Sequence, residues 1–347
     1  MYETFFGLTG KPFQLNPDPS FYFGSRGHKR AFAYLEYGLY QSEGFIIITG
    51  EIGAGKTTIV RSLLEQLDPQ KVVAVQLVST QLEADDMLRA VGAAFGIPIK
   101  SVDKAMLLAS LEAFLCQLAI DKKRALLVVD EAQNLAPRAI EELRMLSNFQ
   151  LGDQALLQSF LVGQPELRAM MQGKEMQQLR QRVIASYHLG PLDQGETRAY
   201  VEHRLKHVGW NEDPKFDPGC FDLIHSLTGG IPRRINTLCN RLLLAAFLAE
   251  RHVLEVADVQ AIAKEIRDEL GSDAVLSAVD ASENADSESG PGSPLMARLE
   301  AGRLHAHFDN VEARIDRLEK TVAAAVDLLH NLLHPDKAVK PGAPAKR

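Results

Sequence analysis

Between residues 44 and about 190 the chain alternates short apolar runs with longer segments whose apolar residues recur every three or four positions. Five runs, GFIIIT, VVAVQLVS, ALLVVD, LLQSFLVG and VIASYHL, are short and nearly continuous in apolar character. Such runs between helical segments predict the buried strands of a parallel α/β sheet. Beyond Pro191 the strand pattern stops. Four helical patterns near 193–207, 217–227, 233–249 and 257–268 then predict a small all-helical lobe. Ahead of the sheet, FFGLTGKPFQLNPDPSFYFGS is rich in aromatics and broken by prolines, which predicts an ordered, non-helical wrap. A helical pattern, HKRAFAYLEYGLYQ, leads from it into the first strand.

The last quarter differs. Residues 271–294 carry five acidic residues and no basic one among abundant Ser, Gly and Pro, the composition of a flexible linker. A heptad follows, with Ala301, Phe308, Ile315, Val322 and Leu329 on one seam position and Leu304, Val311, Leu318, Ala325 and Leu332 on the other. Held over four heptads, it predicts a coiled-coil helix, with Arg314 and Glu319 placed for a parallel pair. Docking of that helix on its own domain is the alternative. The expected organisation is therefore a wrap and helix (1–43), an α/β core (44–191), a helical lid (192–270), a disordered acidic linker (271–294), a coiled-coil helix (295–334) and a disordered, mildly basic tail (335–347).

The whole chain is 46% hydrophobic and 24% charged, ordinary values for a globular protein with a sizeable core. No apolar run approaches the roughly 20 residues needed to span a bilayer, and MYETFFGLTG lacks the pattern of a secretory signal. Three scattered cysteines, Cys116, Cys220 and Cys239, fit a reducing cytoplasm rather than a disulfide framework. The net charge of −7 argues against broad nucleic-acid binding; residues 1–270 alone hold 29 basic and 33 acidic residues.

Candidate chemistry sits at two strand ends. GEIGAGKT, from Gly50 through Glu51, Ile52, Gly53, Ala54, Gly55 and Lys56 to Thr57, fits the phosphate-binding loop pattern G-x-x-x-x-G-K-[ST]. It lies between a predicted strand and the helix that begins with Thr58. Backbone N–H groups there can cradle phosphate oxygens; Lys56 would neutralise the β- and γ-phosphates and Thr57 would place a hydroxyl on Mg²⁺. In RALLVVDEAQNL, Asp130 and Glu131 emerge at the end of a buried run, where open α/β sheets bind ligands. Asp130 suits the outer shell of Mg²⁺ and Glu131 can polarise a water. ATP and Mg²⁺ are the implied cofactors. One feature is electrically awkward. In TGGIPRRIN, Arg233 and Arg234 occupy the first turn of a helix opened by Pro232, where a cation costs about 0.3–1 kcal/mol.

The loop GEIGAGKT, then DEAQNL, VGQPEL, LRQRV and GGIPRRIN, together resemble an AAA+ ATPase. More narrowly the chain is similar to the general-secretion A-type ATPases, and FFGLTGKPFQLNPDPSFYF with GHKRAFAYLEYGL and LRMLSNFQ resembles their exosortase (PEP-CTERM) and exopolysaccharide-associated branch. The resemblance covers about residues 1–270. It implies a five-stranded sheet plus a helical lid with ATP between them. It also implies Gln164 as the sensor that orients the attacking water, and Arg182, or Arg180, as an arginine finger reaching a neighbour's ATP in a homo-oligomer. Arg233, or Arg234, is implied as the lid sensor on the γ-phosphate. Pro17 to Phe23 and His28 would lie close to the adenine, with an aromatic mini-core as the alternative. Its implied setting is cytoplasmic, or peripheral to the inner membrane beside envelope export machinery, with the coiled coil pairing with itself or with a partner helix. A DNA-acting initiator or transposition ATPase and a slow nucleotide-gated scaffold are the competing functions.

Overall fold

The computed structural model of the chain describes residues 1–16, 18–78, 83–98 and 103–270. Five strands form one sheet: β1 (Phe45–Gly50), β2 (Val72–Val78), β3 (Arg124–Asp130), then, past a minor hairpin of β4 (Gln150–Leu151) and β5 (Gln154–Ala155), β6 (Leu157–Gly163) and β7 (Val183–Leu189). Their order is β2-β3-β6-β1-β7 and every pairing is parallel. The five apolar runs of the sequence are these five strands.

Central β1 and β6 are buried throughout. Successive side chains point to opposite faces. Phe45 and Ile47 join Leu127, Val129 and Leu161 on one face, under helices α4 (Ala84–Ala94), α5 (Lys104–Ile120) and α6 (Pro137–Leu146). Ile46 and Ile48 join Leu126, Val128, Phe160 and Val162 on the other. There α2 (Arg26–Gln41) and α3 (Lys56–Gln66) cover them through Ala31, Leu35, Ile59 and Leu63. Two-sided burial is what removes the polar alternation that a one-sided strand would show.

After the short helices α7 (Pro165–Gln172) and α8 (Gln177–Arg180), the chain crosses β7 and enters the helical lobe. Its helices are α9 (Gln194–His207), α10 (Pro218–Thr228), α11 (Pro232–Leu248) and α12 (Val256–Leu270). Asp193 and Glu196 form a reciprocal capping box at the start of α9. Gly229 ends α10 at a left-handed φ of 59°, a conformation that glycine adopts at no steric cost. All four helices fall within a residue or two of their predicted spans. The lobe is not purely helical: β8 (Lys215–Phe216) pairs in parallel with β9 (Val253–Leu254), two residues each, too short to leave an apolar pattern in the sequence.

The N-terminal wrap packs chiefly on this lobe, while Tyr22 near its end packs against the sheet-side cluster. It opens with a four-residue helix, α1 (Tyr2–Phe5). Tyr2, Phe6, Leu8 and Phe13 are buried in the same cluster as Tyr200, Leu205, Ile235 and Leu242. Arg204, on the buried face of α9, donates from Nε to the Pro12 carbonyl at 2.6 Å and from Nη1 to the Tyr200 hydroxyl at 2.8 Å. Its guanidinium lies 4.7 Å from the Phe21 ring centroid. The Glu196 carboxylate accepts from the Arg26 backbone N–H at 2.8 Å and from the Asp193 backbone N–H at 3.3 Å, so one side chain bonds the start of a helix of the sheet layer and the start of a helix of the lobe. The linker, heptad and tail expected over 271–347 lie outside the described residues.

Phe13 is 1% exposed. Phe13→Ala should cost about 3–5 kcal/mol of unfolding free energy, measured by denaturant titration, because it empties the centre of the contact between wrap and lobe.

Candidate functional site

At the C-terminal end of β1 the chain turns through 51–55 and begins α3 at Lys56. Gly53 holds φ at 83°, and a Cβ there would come within 2.4 Å of the Arg233 Cβ. That contact excludes any larger residue and shows how closely the lobe approaches the loop. The Arg233 backbone N–H donates to the Gly53 carbonyl at 3.2 Å. The first turn of α11 is thus bonded directly to the phosphate-binding loop, and both line one cleft with Ile52, Gly55, Lys56, Thr57, Thr58, Glu131 and Pro232.

Lys56 is 5% exposed, and its ammonium donates to the carbonyls of Gly50 at 2.7 Å and Glu51 at 2.9 Å. Burial pushes its pKa down, while the charges of Glu131 and Asp130 pull it back. Thr57 Oγ1 donates to Asp130 Oδ2 at 2.9 Å, and the Glu131 N–H donates to Asp130 Oδ1 at 3.0 Å. Burial raises Asp130 above the ordinary carboxylate range, against the pull of those two donors. Glu131 sits at the strand end with φ at 53°. Burial pushes its carboxyl up, but donors from Gln133 at 2.6 Å and Gln164 at 2.9 Å, helped by Lys56, outweigh that and hold it low.

The elements suited to a nucleoside triphosphate with Mg²⁺ are therefore adjacent: a glycine turn with a buried ammonium, a hydroxyl beside a carboxylate, and a second carboxylate held by amides. Among the described residues no cluster of three or more His, Cys, Asp and Glu could hold a metal unaided. Thr57 and Asp130 offer two oxygens, which suits a Mg²⁺ that completes its shell from water and phosphate.

The remaining sequence candidates divide by place. Gln164 reaches the site, at the N-terminus of α7. Arg233 is exposed within the cleft; Arg234 is half-buried and does not line it. Arg182 is elsewhere. It precedes β7, whose first residue pairs with the start of β1, and its guanidinium is bonded to the Ser147 carbonyl at 3.1 Å, the Ser147 hydroxyl at 3.0 Å and Asn148 Oδ1. Arg180 donates to the carbonyls of Met171 and Gly173 at the end of α7.

Phe21, Tyr22, Phe23 and His28 line the outer cleft, while Pro17 lies outside the described residues. Ser25 caps α2 and bonds His28 Nδ1 at 2.7 Å. Sequence reasoning missed Gln14, Tyr200, Arg204 and Asn236, which complete that wall. Tyr200 donates to Asn236 Oδ1 at 2.9 Å. A signal for Arg204 existed: it occupies an apolar-face position, four residues after Tyr200 and three after Val201. Gln133 was also missed, although DEAQ places an amide two residues after the carboxylate.

Comparison with known proteins agrees with this geometry. Residues 39–171 match the family described as AAA domain. Over 274 residues, 78% of this chain, the sequence is 41% identical to General secretion pathway protein A of Aeromonas hydrophila; the chain spans about half (50%) of that relative's length. Among solved structures, the ORC2 protein of Aeropyrum pernix, in ADPNP–ADP complexes, superposes with a TM-score of 0.54 at 19% identity over 76% of this chain and 70% of that one. Cdc6p of Pyrobaculum aerophilum gives 0.56 at 17% identity over 76% and 71%. At these identities the structures establish the fold alone, a parallel α/β sheet followed by a helical lobe.

Burial pushes the His28 pKa down, against a hydrogen bond at the Ala54 backbone and the charge of Glu196. The unfolded chain, with His near 6.5, therefore binds a proton that the folded chain refuses between the depressed value and about 6.5. Stability should rise with pH through that window and be fully present above it. His28→Gln should flatten this part of a stability-against-pH curve; His203, shifted the same way by burial, leaves a residual slope.

Proposed function

We propose that the chain, built on an AAA domain, is a Mg²⁺-dependent ATPase that couples nucleotide state to the angle of its helical lobe. The observation that carries this reading is the contact between the two lobes at the loop. The Arg233 N–H reaches the Gly53 carbonyl, while the Arg233 side chain shares the cleft with Lys56 and Glu131.

In this reading Lys56 leaves the loop carbonyls for phosphate oxygens, and the backbone N–H groups from Gly53 to Thr58 bind the remaining ones. Thr57 and Asp130 would hold the metal, which supplies charge neutralisation at the phosphates. Glu131 accepts a proton from the attacking water, and Gln164 orients that water. Arg233 from above offsets negative charge on the terminal phosphate, which removes the local penalty of a cation at the start of α11. The wall of Phe21, Tyr22, Phe23 and His28 faces the base.

Arg182 serves a neighbouring subunit, and Arg180 is the second choice. The chain thus works as a homo-oligomer, and the heptad over 295–334, which lies outside the described residues, would pair with another copy or with a partner helix. The likeness to a general secretion protein supports a place in envelope export at the cytoplasmic side of the inner membrane. The opening motif and LRMLSNFQ support the exosortase and exopolysaccharide branch. No described helix is long and apolar enough to cross a membrane.

ATP hydrolysis measured against protein concentration tests the reading. Specific activity should rise with concentration in the wild type. In Arg182→Ala it should be low and flat, a supplied arginine being worth up to about 10³–10⁵ in rate. Glu131→Gln should keep nucleotide affinity within about twofold and lose about 10²–10⁴ in turnover. Flat wild-type activity would remove the oligomer, and DNA retardation at physiological salt would favour an initiator-like role.

A further inference from the structure

Glu131 is held by a closed ring of three side chains. Gln133 Nε2 donates to Glu131 Oε2 at 2.6 Å, and Gln164 Nε2 donates to the same oxygen at 2.9 Å. The other end of Gln133 turns back: its Oε1 accepts the Gln164 backbone N–H at 3.0 Å. One amide therefore bonds both the carboxylate at the end of β3 and the backbone at the end of β6, two adjacent strands.

The local chain is shaped to put it there. Glu131 adopts a left-handed φ, which starts the single 3-10 turn of Ala132–Asn134 and folds Gln133 back over the strand end. Ala132 beneath it is fully buried. Both donors converge on Oε2, so Oε1 has no partner from this ring. An unconstrained glutamate would sample several rotamers and present either oxygen.

We infer that Gln133 is a positioning residue for hydrolysis. It fixes the rotamer of Glu131 so that one defined oxygen faces the cleft, and it locks Gln164 to the same frame. The general base and the water-orienting amide then move as one unit. This rests on the ATPase reading above and adds to it a residue that touches neither phosphate nor metal.

Gln133→Met keeps side-chain length and removes both hydrogen bonds. Gln133→Glu keeps an acceptor for the Gln164 N–H but replaces the donor to Glu131 with a like charge. A charge-assisted hydrogen bond lost from a positioned base should lower kcat about tenfold or more. Because Gln133 does not line the cleft, the affinity for a fluorescent non-hydrolysable ATP analogue should stay within about twofold in both variants. In the Glu131→Gln background, Gln133→Met should lower single-turnover hydrolysis by a clearly smaller factor than in the wild type, since the part of its effect that acts through the carboxylate is gone and only its bond to the Gln164 N–H remains to be lost. Three results would each overturn the inference: kcat unchanged in both variants, affinity falling in parallel with kcat, or the full loss persisting without Glu131. Should Gln133→Met fail to fold, Gln133→Glu carries the same comparison. A wild type that binds the analogue yet never hydrolyses ATP would instead remove the ATPase reading, and this inference with it.

Discussion

A buried ammonium is the constraint around which the site is arranged. Lys56 stands at the first position of α3, inside the cleft, where burial alone disfavours its charge. It stays tolerable because two loop carbonyls accept from it and because Asp130 and Glu131 lie close. Those carboxylates face the same difficulty in reverse. Asp130 is offset by Thr57 and a backbone N–H, and Glu131 by two amides. Each charge keeps more than one partner, which offsets the cost of holding it away from water. The arrangement holds a poised cation and two poised anions where a charged ligand would meet them.

The second dependence is mechanical. The wrap carries its aromatic side chains into the helical lobe, while the helix that follows it, α2, packs on the sheet. Gln14 to Phe23 therefore bridge the two bodies along one wall of the cleft, with Pro17 outside the described residues. Arg204 ties the wrap down through the Pro12 carbonyl and the Phe21 ring. The lobe and the cleft wall are therefore tied through one side chain. At the other side the Glu196 carboxylate accepts from backbone N–H groups at the starts of both α2 and α9, which ties the two near the crossing from sheet to lobe.

What the sequence made legible follows the range of the physics. Strands β1, β2, β3, β6 and β7 and helices α9 to α12 could be read because burial on two faces, or on one helical stripe, imprints a local pattern. The loop 50–57 could be read because phosphate chemistry demands glycine and lysine at fixed offsets. Arg204 and Gln133 escaped because their partners are distant: Pro12 lies 192 positions from Arg204 and Gln164 lies 31 from Gln133. Nothing in a local window announces such bonds. The short β8–β9 ladder escaped for a different reason, since two residues cannot display a period.

Arg182 and Arg233, the first choices among the arginines that the sequence offers, obey opposite geometries. Arg233 lies on the lobe over its own phosphate-binding loop. Arg182 lies where β7 begins, level with Phe45, whereas that loop begins after Gly50 at the far end of β1. At about 3.3 Å per residue the strand alone separates them by roughly 17 Å, more than any arginine side chain spans. Its guanidinium is moreover satisfied by Ser147 and Asn148 at the end of α6. Any contact it makes with a phosphate must therefore be with that of another chain, and must replace those three acceptors. Such an exchange is nearly balanced in hydrogen bonds and favourable in charge, because a phosphate offers the guanidinium an anion where Ser147 and Asn148 offer only dipoles.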